Sequence, residues 1–169
     1  GEPARITEIR IVGSKVFPES ALRTLLDLDT GNWMSWYTKS DRYSRTKLNA
    51  DLETLRSYYL SRGFLEFRID STQVAISPDK QDISIAISVK EGQPFTVDSV
   101  RLEGRYLGRD EQFKSLVKVK PGEVYRGEDV ASTVRSFSDL FGQFGYAFPR
   151  VEPRTEVDRA TGLVKVILS

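Results

Sequence analysis

Apolar and polar residues alternate along several short stretches of the chain, and this period of two predicts β-strands. The clearest stretch is 83–89, in which every second residue is a large aliphatic one. One face of such a strand is buried and the other is solvated, so the pattern predicts that 83–89 is the central strand of a sheet. Similar stretches predict further strands at about 5–12, 95–102, 148–157 and 163–168.

Two stretches with apolar residues at helical spacing follow the first strand. The first begins at Pro18, and its apolar residues are Ala21, Leu22, Leu25 and Leu26. The second runs over about 44–62 and ends before Gly63, a residue type that commonly terminates helices. Its apolar stripe is formed by Leu48, Leu52, Leu55 and Tyr59. We therefore predict that Leu52 and Leu55 both lie on the buried face of the long helix.

This arrangement of elements occurs twice along the chain. The glycines that follow the first strand of each copy, Gly13 and Gly104, lie 91 positions apart, and those that end the long helices, Gly63 and Gly145, lie 82 apart. The difference places nine additional residues between the two helices of the first copy. A repeat on this scale indicates one supersecondary unit used in tandem.

Each copy predicts the element order β-α-α-β-β, and hence an α+β fold made of two tandem domains at residues 1–91 and 92–169. We expect each domain to contain a three-stranded mixed sheet that two antiparallel helices cover on one face. The last strand of each copy, 83–89 or 163–168, is expected to be the central one.

The strand that follows the first long helix changes the face of its apolar residues partway along. Phe67 and Ile69 occupy odd positions, whereas Val74 and Ile76 occupy even ones. A regular strand cannot place both pairs on one face, so we predict a β-bulge near residues 71–72. Because bulges are frequent at sheet edges, this strand is predicted to be an edge strand.

An edge strand offers backbone N–H and C=O groups to an incoming extended segment, a mode of binding called β-augmentation. The candidate partner-binding residues are Gln73, Val74, Ala75 and Ile76, with Leu28 and Asp29 at the end of the first helix as an adjacent patch. A second interpretation is that the bulge and its polar residues protect the edge from aggregation. The residues alone favour neither interpretation.

The additional segment of the first copy contains both tryptophans of the chain. Trp33, Trp36 and Tyr37 lie there together. Such aromatic residues either pack against their own helices or form an exposed patch for a partner, and packing is the interpretation that we favour.

The composition argues against an enzyme. Cysteine and histidine are absent, which excludes thiol chemistry, Ser–His nucleophiles and Cys- or His-ligated zinc. The close carboxylate pairs, Asp27 with Asp29 and Asp79 with Asp82, lie at a helix end and in a turn, where solvated aspartates are common. We therefore predict no catalytic, metal or cofactor site.

The charge distribution limits the classes of partner. The chain carries 25 basic and 24 acidic residues, a net charge of +1, spread along its length. Such a balance lacks the basic face that nucleic-acid binding requires, so no nucleic-acid partner is predicted. No run of about 18 apolar residues is present, so we predict no membrane-spanning helix.

Four stretches of the sequence resemble polypeptide-transport-associated (POTRA) domains of the Omp85 family of outer-membrane assembly proteins. These stretches are residues 51–60, 62–63, 69–74 and 144–151. The resemblance covers essentially the whole chain, and its register suggests the third and fourth of five POTRA domains. It implies a location in the periplasm of a Gram-negative bacterium, with a membrane β-barrel following beyond Ser169.

The resemblance also implies a function and partners. The expected function is a periplasmic scaffold that binds unfolded β-barrel precursors and docks accessory lipoproteins, with a propeller-shaped lipoprotein on the first domain. Asp29 is acidic where better-known relatives carry a basic residue, which leaves the chemistry of that docking open. Two alternatives are a purely structural spacer, and a POTRA module of another system such as two-partner secretion or cell division.

Overall fold

The computed structural model describes residues 4–28, 36–37 and 42–169, with the backbone alone at 36–37. The elements of the first repeat are β1 (Ala4–Val12), α1 (Glu19–Arg23), β2 (Trp36–Tyr37), α2 (Arg42–Leu60), β3 (Arg68–Ile76) and β4 (Asp82–Lys90). Those of the second are β5 (Thr96–Leu102), α3 (Asp110–Lys114), α4 (Gly127–Gln143), β6 (Pro153–Asp158) and β7 (Leu163–Leu168). The predicted order β-α-α-β-β is present in both repeats, with β2 as an addition to the first.

The chain forms two compact units. Unit 1 comprises Gly1–Tyr59 and Glu66–Gly92, and unit 2 comprises Leu60–Leu65 and Gln93–Ser169. The end of the first long helix and the residues after it therefore fold as part of unit 2. Local sequence patterns did not indicate this exchange, because it depends on contacts between residues that are far apart in the chain.

The sheets place the last strand of each repeat at the centre. In unit 1 the strand order is β2-β1-β4-β3, with β4 parallel to β1 and antiparallel to β3. In unit 2 the order is β5-β7-β6, with β7 parallel to β5 and antiparallel to β6. The prediction of mixed sheets with 83–89 and 163–168 as central strands is confirmed.

Unit 1 contains one strand more than the sequence predicts. The two residues of β2 lie in the additional segment of the first repeat and pair antiparallel with Ala4 and Arg5 at the outer edge of β1. Trp33 lies outside the described residues, as do the side chains of Trp36 and Tyr37, so their packing stays a prediction.

The core of unit 1 lies on the face of β4 that the alternation predicts. Its Ile83, Ile85, Ile87 and Val89 are buried, as are Leu48, Leu55 and Tyr59 of α2. The predicted stripe of α2 is wrong at one position, because Leu52 is only half-buried and the neighbouring Asp51 is buried instead. The buried face of α2 is thus shifted by one residue to include Asp51, because a pattern of apolar residues does not predict a buried carboxylate.

The core of unit 2 is rich in aromatic side chains. Phe113 of α3 and Phe137 of α4 are fully buried with their ring centroids 5.1 Å apart, in edge-to-face geometry. They pack with Val164, Val166 and Leu168 of β7 in one hydrophobic cluster. The two helices of this repeat therefore contribute to the core on the same face of the sheet.

The loop after β1 is fastened to the end of β4. The buried carboxylate of Glu91 accepts hydrogen bonds from the backbone N–H groups of Lys15 and Val16 and, at 2.8 Å, from the hydroxyl of Tyr59. Burial and this hydrogen bond raise the pKa of Tyr59. Glu91 thereby links the loop after the first strand, the long helix and the end of the central strand of unit 1.

Two elements are shorter than predicted. Helix α1 ends at Arg23. The N–H groups of Leu25 and Leu26 donate to carbonyls three positions earlier, which forms turns instead of a further helical turn. The next two N–H groups of the backbone donate to the carboxylate of Asp51, so the helix does not continue. Strand β6 begins at Pro153 instead of about residue 148. Pro149 lacks the N–H group that a paired strand donates, which disfavours pairing at the predicted start of the strand.

Candidate partner-binding site

Strand β3 forms one edge of the sheet of unit 1. Among the described residues it pairs with β4 and with no second strand. The opposite edge of that sheet differs, because β2 pairs there with β1. The additional segment of the first repeat therefore covers part of one edge, and β3 is the edge strand that the sequence predicts.

A β-bulge divides β3 into two parts. Ile69 pairs with Val89 and Ser71 pairs with Ser88, so Asp70 is the additional residue between them. The carboxylate of Asp70 forms an ion pair with Arg68 at 2.9 Å. The predicted bulge near residues 71–72 is confirmed, and the change from odd to even apolar positions is its direct consequence.

The bulge and the register determine which backbone groups face outward. The N–H of Ser77 donates to the C=O of Asp82 at 2.9 Å, so residues 77 and 82 form a hydrogen-bonded pair. Such pairs alternate with pairs that make no mutual bonds in an antiparallel ladder. Thr72 pairs with Ile87 and Ile76 with Ile83, and both fall in the second class. The N–H and C=O groups of Thr72 and Ile76 therefore point away from β4, to the outer side of the strand.

The corresponding edge of unit 2 carries a proline. Glu152 and Ser169 exchange both backbone hydrogen bonds, so the next pair, Pro153 with Leu168, makes none. Ile11 and Leu102 occupy the same position of the repeat. They pair with Ile87 and Leu168 in their sheets, so Leu168 corresponds to Ile87. Pro153 consequently occupies the position of Thr72, with its missing N–H on the outer side. The edge of unit 2 is blunted where the edge of unit 1 is not.

The candidate side chains of β3 divide between two faces. Val74 and Ile76 lie opposite the core residues Ile85 and Ile83, and Ile76 remains 44% exposed at the rim of the core. Gln73 and Ala75 lie on the other face and are exposed. The end of the strand thus combines an apolar rim with a face that presents small and polar groups.

The hairpin turn after Ile76 fixes the register of this edge. The carboxylate of Asp79 accepts hydrogen bonds from the hydroxyl of Ser77 and from the backbone N–H of Gln81. These bonds, chiefly that of Ser77, lower the pKa of Asp79. Asp79 and Asp82 therefore stabilise a turn, since Asp82 also bonds through its backbone to Ser77.

The adjacent patch predicted at the end of the first helix is not formed by Leu28. The side chain of Leu28 is only 4% exposed, so it belongs to the core and is removed from the candidate surface. The sequence predicts a surface position for Leu28 because it predicts a longer first helix that ends there. Asp29 lies outside the described residues, and its part in docking stays a prediction.

Asp51 holds this segment in place. Its buried carboxylate accepts hydrogen bonds from the backbone N–H groups of Asp27 and Leu28, both at 2.8 Å. In unit 2 the hydroxyl of Thr133 accepts the N–H of Lys118 at 3.0 Å, and these residues are 82 and 91 positions after Asp51 and Asp27. Both repeats therefore use a buried polar side chain of the long helix to end the short helix.

We expect Asp51→Asn to change how the stability of unit 1 depends on pH. Burial raises the pKa of Asp51 above its ordinary value of 3.8, so the folded state binds the proton more tightly than the unfolded state. The contribution of Asp51 to the free energy of unfolding thus falls as pH rises from about 3.8 through the raised pKa. Urea unfolding at a series of pH values should show wild type losing stability relative to Asp51→Asn with rising pH.

Asp79→Asn provides a control of opposite sign. The lowered pKa of Asp79 gives stability that is present above its ordinary pKa and is lost as pH falls. Relative to Asp79→Asn, wild type should therefore gain stability with rising pH. Parallel pH profiles for wild type and Asp51→Asn would contradict the assigned effect of burial.

Metal-binding clusters and membrane-spanning helices are both absent from the described residues. Over 4–28 and 42–169, no group of three or more Asp or Glu side chains is arranged to hold a metal ion. None of the helices in these ranges has the length and apolar character needed to cross a membrane. The edge of β3 stays the candidate site.

The fold and its repeat define a class of protein. The POTRA family model, described as surface antigen variable number repeat, matches residues 4–92 and 95–169. The chain belongs to the POTRA family, as the sequence predicts.

The sequence relatives of the chain include outer membrane protein assembly factors. The chain is 27% identical over 169 residues to the outer membrane protein assembly factor BamA of Neisseria meningitidis serogroup B, covering 99% of this chain and 21% of the relative. It is 27% identical over 159 residues to BamA of Buchnera aphidicola, covering 94% of this chain and 26% of the relative. The chain thus spans about a fifth to a quarter of the length of these relatives.

A solved structure confirms the predicted fold. The crystal structure of BamA POTRA3-5 from Haemophilus influenzae superposes with a TM-score of 0.85, over 99% of this chain and 65% of that one. The sequences are 22% identical, so this likeness bears on the fold alone.

The sequence predicts the edge strand but not the outward position of Thr72. Pro153 in the second repeat is the counterpart of Thr72. The two residues lie 81 positions apart, whereas the glycines that end the long helices lie 82 apart, so sequence spacing alone does not align them. Only the bulge at Asp70 brings them into correspondence.

Proposed function

We propose that this chain is a non-enzymatic periplasmic scaffold of an outer-membrane protein assembly machine in a Gram-negative bacterium. It binds extended segments of unfolded β-barrel precursors by β-augmentation at the outer edge of β3. The family and the BamA relatives support the scaffold role and the location. The observation that carries the binding mode is the difference between the two edges, with Thr72 in unit 1 where unit 2 has Pro153.

Backbone pairing suits such a role because it tolerates many side chains. An incoming strand would bond to the outward N–H and C=O groups of Thr72 and Ile76. The apolar rim at Ile76 adds a contact for one side chain of the incoming strand. A scaffold that receives many different barrel strands requires this low sequence selectivity.

Two finer assignments extend the proposal. The chain corresponds to the third and fourth POTRA domains of its longer parent, and a propeller-shaped lipoprotein of the machine docks on the first of them. The register of the stretches that resemble POTRA domains supports the domain numbers. The same edge, residues 73–76, is the proposed contact for the lipoprotein.

The sharpest test replaces Thr72 by the residue that unit 2 uses. Thr72→Pro removes an outward N–H at a position where the fold accepts proline, so unit 1 should remain folded while strand addition is lost. The probe is a synthetic peptide of about ten residues with alternating apolar and polar positions, the pattern of a membrane β-barrel strand. NMR titration should show the amides of Thr72 and Ile76 shifting in wild type and in the control Thr72→Ala, but not at Ile76 in Thr72→Pro.

A second variant separates backbone pairing from a side-chain patch. Ile76→Asp keeps the backbone N–H and changes only the exposed rim. If backbone pairing dominates, this variant binds the peptide with a modest loss, whereas a side-chain patch predicts a severe loss. Equal binding by wild type, Thr72→Pro and Ile76→Asp would contradict the proposal and favour the structural spacer.

A crosslinking experiment in cells distinguishes precursor binding from lipoprotein docking. A photo-reactive amino acid at Gln73 or Ala75, on the exposed face of β3, should capture newly made barrel precursors, the lipoprotein, or both. Capture of neither in cells that are assembling outer-membrane proteins would contradict a binding role for this edge.

A further inference from the structure

The first strand of the second repeat has backbone groups on its outer side. In a parallel pair of strands, successive residues direct their N–H and C=O groups to opposite sides. Glu103 donates its N–H to the carbonyl of Leu168 in β7. Leu102 and Val100, one and three positions earlier, therefore point their N–H and C=O groups away from β7. We refer to Val100 and Leu102 as the β5 edge.

A carboxylate occupies the corresponding position in unit 1. Ile11 is the counterpart of Leu102, and its N–H donates to the carboxylate of Glu19 at 2.9 Å. Arg10 and Arg23 form ion pairs with the same carboxylate at 3.0 and 3.1 Å. The bond from Ile11 is the main cause that lowers the pKa of Glu19, and the two arginines add to it. Glu19 is thus held on the outward N–H of β1.

Unit 2 lacks this contact. Asp110 occupies the position of Glu19, 91 residues later, and its side chain is one methylene shorter. Among the described residues, none accepts the N–H of Leu102 or of Val100. The β5 edge therefore offers an N–H and a C=O group on each of its two residues.

The side chains of the β5 edge are also more accessible than their counterparts. Ile9 and Ile11 of β1 are 6% and 2% exposed. Val100 and Leu102 lie at the same positions of the repeat but are only partly buried, packed against the core of unit 2. Apolar surface therefore lies beside the outward backbone groups.

The outer side of β5 already pairs with an extended segment of its own chain. Val97 donates its N–H to the carbonyl of Glu123 and accepts the N–H of Gly122, and Thr96 and Val124 form a bridge. This pairing ends before the β5 edge. The outer side of the strand is thus compatible with added backbone, and the stretch after Val97 accommodates a segment of about five residues.

We propose that the β5 edge is a second strand-binding site, occupied by a short extended polypeptide segment with apolar residues at alternate positions. The backbone of this segment bonds to the outward groups of Val100 and Leu102, and its apolar side chains cover theirs. The site lies in unit 2 and goes beyond the function proposed for β3, so either site can fail without the other.

Hydrogen exchange and a peptide titration test the proposal. In the free chain, the amide of Leu102 should exchange fast and that of Ile11, which is bonded to Glu19, slowly. The alternating peptide of about ten residues is then added to Thr72→Pro, the variant in which strand addition at β3 is expected to be lost. The amides of Val100 and Leu102 should shift and become protected. Protection of Leu102 in the free chain, or no shift at either amide, would overturn the proposal.

Asp110→Glu transfers the carboxylate contact of unit 1 to unit 2. Asp110 is exposed, so the longer side chain is tolerated by the fold. It should protect the amide of Leu102 from exchange and weaken peptide binding by about two- to tenfold, the range for one backbone hydrogen bond. A protected Leu102 amide with unchanged peptide affinity would contradict the proposed site.

Leu102→Pro removes the outward N–H itself, and decides the outcome if Leu102 stays unprotected in Asp110→Glu. Its matched control, Leu102→Ala, shortens the side chain and keeps the N–H. The amides of β7 report whether unit 2 remains folded. The proline variant should bind the peptide at least about two- to tenfold more weakly than the alanine variant. Equal binding by these two variants, measured at the amide of Val100, would overturn the proposal.

Discussion

Replacing Gly13 by alanine should destabilise unit 1 by about 2–6 kcal/mol, among the largest effects of any single methyl group in this chain. Gly13 follows β1 with a φ of +100°, where a side chain is strained by about 1–3 kcal/mol. Its Cβ would also lie 2.3 Å from the carbonyl oxygen of Val89. Because Val89 belongs to the central strand, and Glu91 beyond it fastens the loop after Gly13, the backbone cannot move aside without disturbing several elements.

Gly104 provides a matched control at the same position of the repeat. Its φ is +90°, but a Cβ there would meet no atom within 4 Å. Gly104→Ala should therefore cost only the conformational strain, about 1–3 kcal/mol. Amide hydrogen exchange of β4 and β7 reports the stability of units 1 and 2 separately. Equal losses in the two units would show that strain alone, and not the approach to Val89, determines the cost.

The repeat made most of the fold predictable from sequence. The alternation in 83–89 and the helical spacing in 44–62 are local patterns, and each was found in the expected element. The bulge was equally local, because the change of apolar parity between Ile69 and Val74 admits no regular strand. Elements that produce a periodic pattern of apolar residues were therefore predictable.

Features that depend on register or on buried polar groups were not predictable in the same way. Asp51 replaced Leu52 on the buried face of α2 because its carboxylate satisfies two backbone amides, a benefit that no hydrophobic pattern reveals. Leu28 was assigned to the surface because its segment was expected to continue a helix. The correspondence of Thr72 with Pro153 emerged only from the pairing of β3 and β6 with their central strands.

The two units treat their sheet edges differently, and this difference relates structure to function. The first strand is paired at its start in both, by β2 in unit 1 and by an isolated bridge from Thr96 to Val124 in unit 2. The other edge of unit 2 carries Pro153 together with Arg154, which pairs with Glu103 and Glu156. Proline and charge are common protections against unwanted strand pairing. Unit 1 has a nine-residue edge strand without proline, which is why strand addition is proposed there.

Leu55→Ala should lower the free energy of unfolding of unit 1 by about 2–5 kcal/mol, the usual cost of a large cavity in a packed core. The side chain of Leu55 is 0% exposed in the centre of α2 and belongs to the hydrophobic core of the unit. Leu52→Ala removes the same atoms three positions away on a half-buried face, where the neighbours and solvent fill the space, and should cost about 1 kcal/mol. Both variants replace leucine by alanine in the same helix, so the atoms removed and the change in helix propensity are the same. The difference between their losses of unfolding free energy therefore measures the effect of burial.

The NMR signals of the β4 amides during urea unfolding measure both variants, because β4 is the central strand of unit 1. The expected result is a lower midpoint for Leu55→Ala than for Leu52→Ala at an unchanged slope. A larger loss for Leu52→Ala would mean that the apolar stripe read from the sequence is the buried face after all. Asp51 would then be exposed, and the pH profile of Asp51→Asn would follow wild type, so the two experiments must agree on the orientation of this helix.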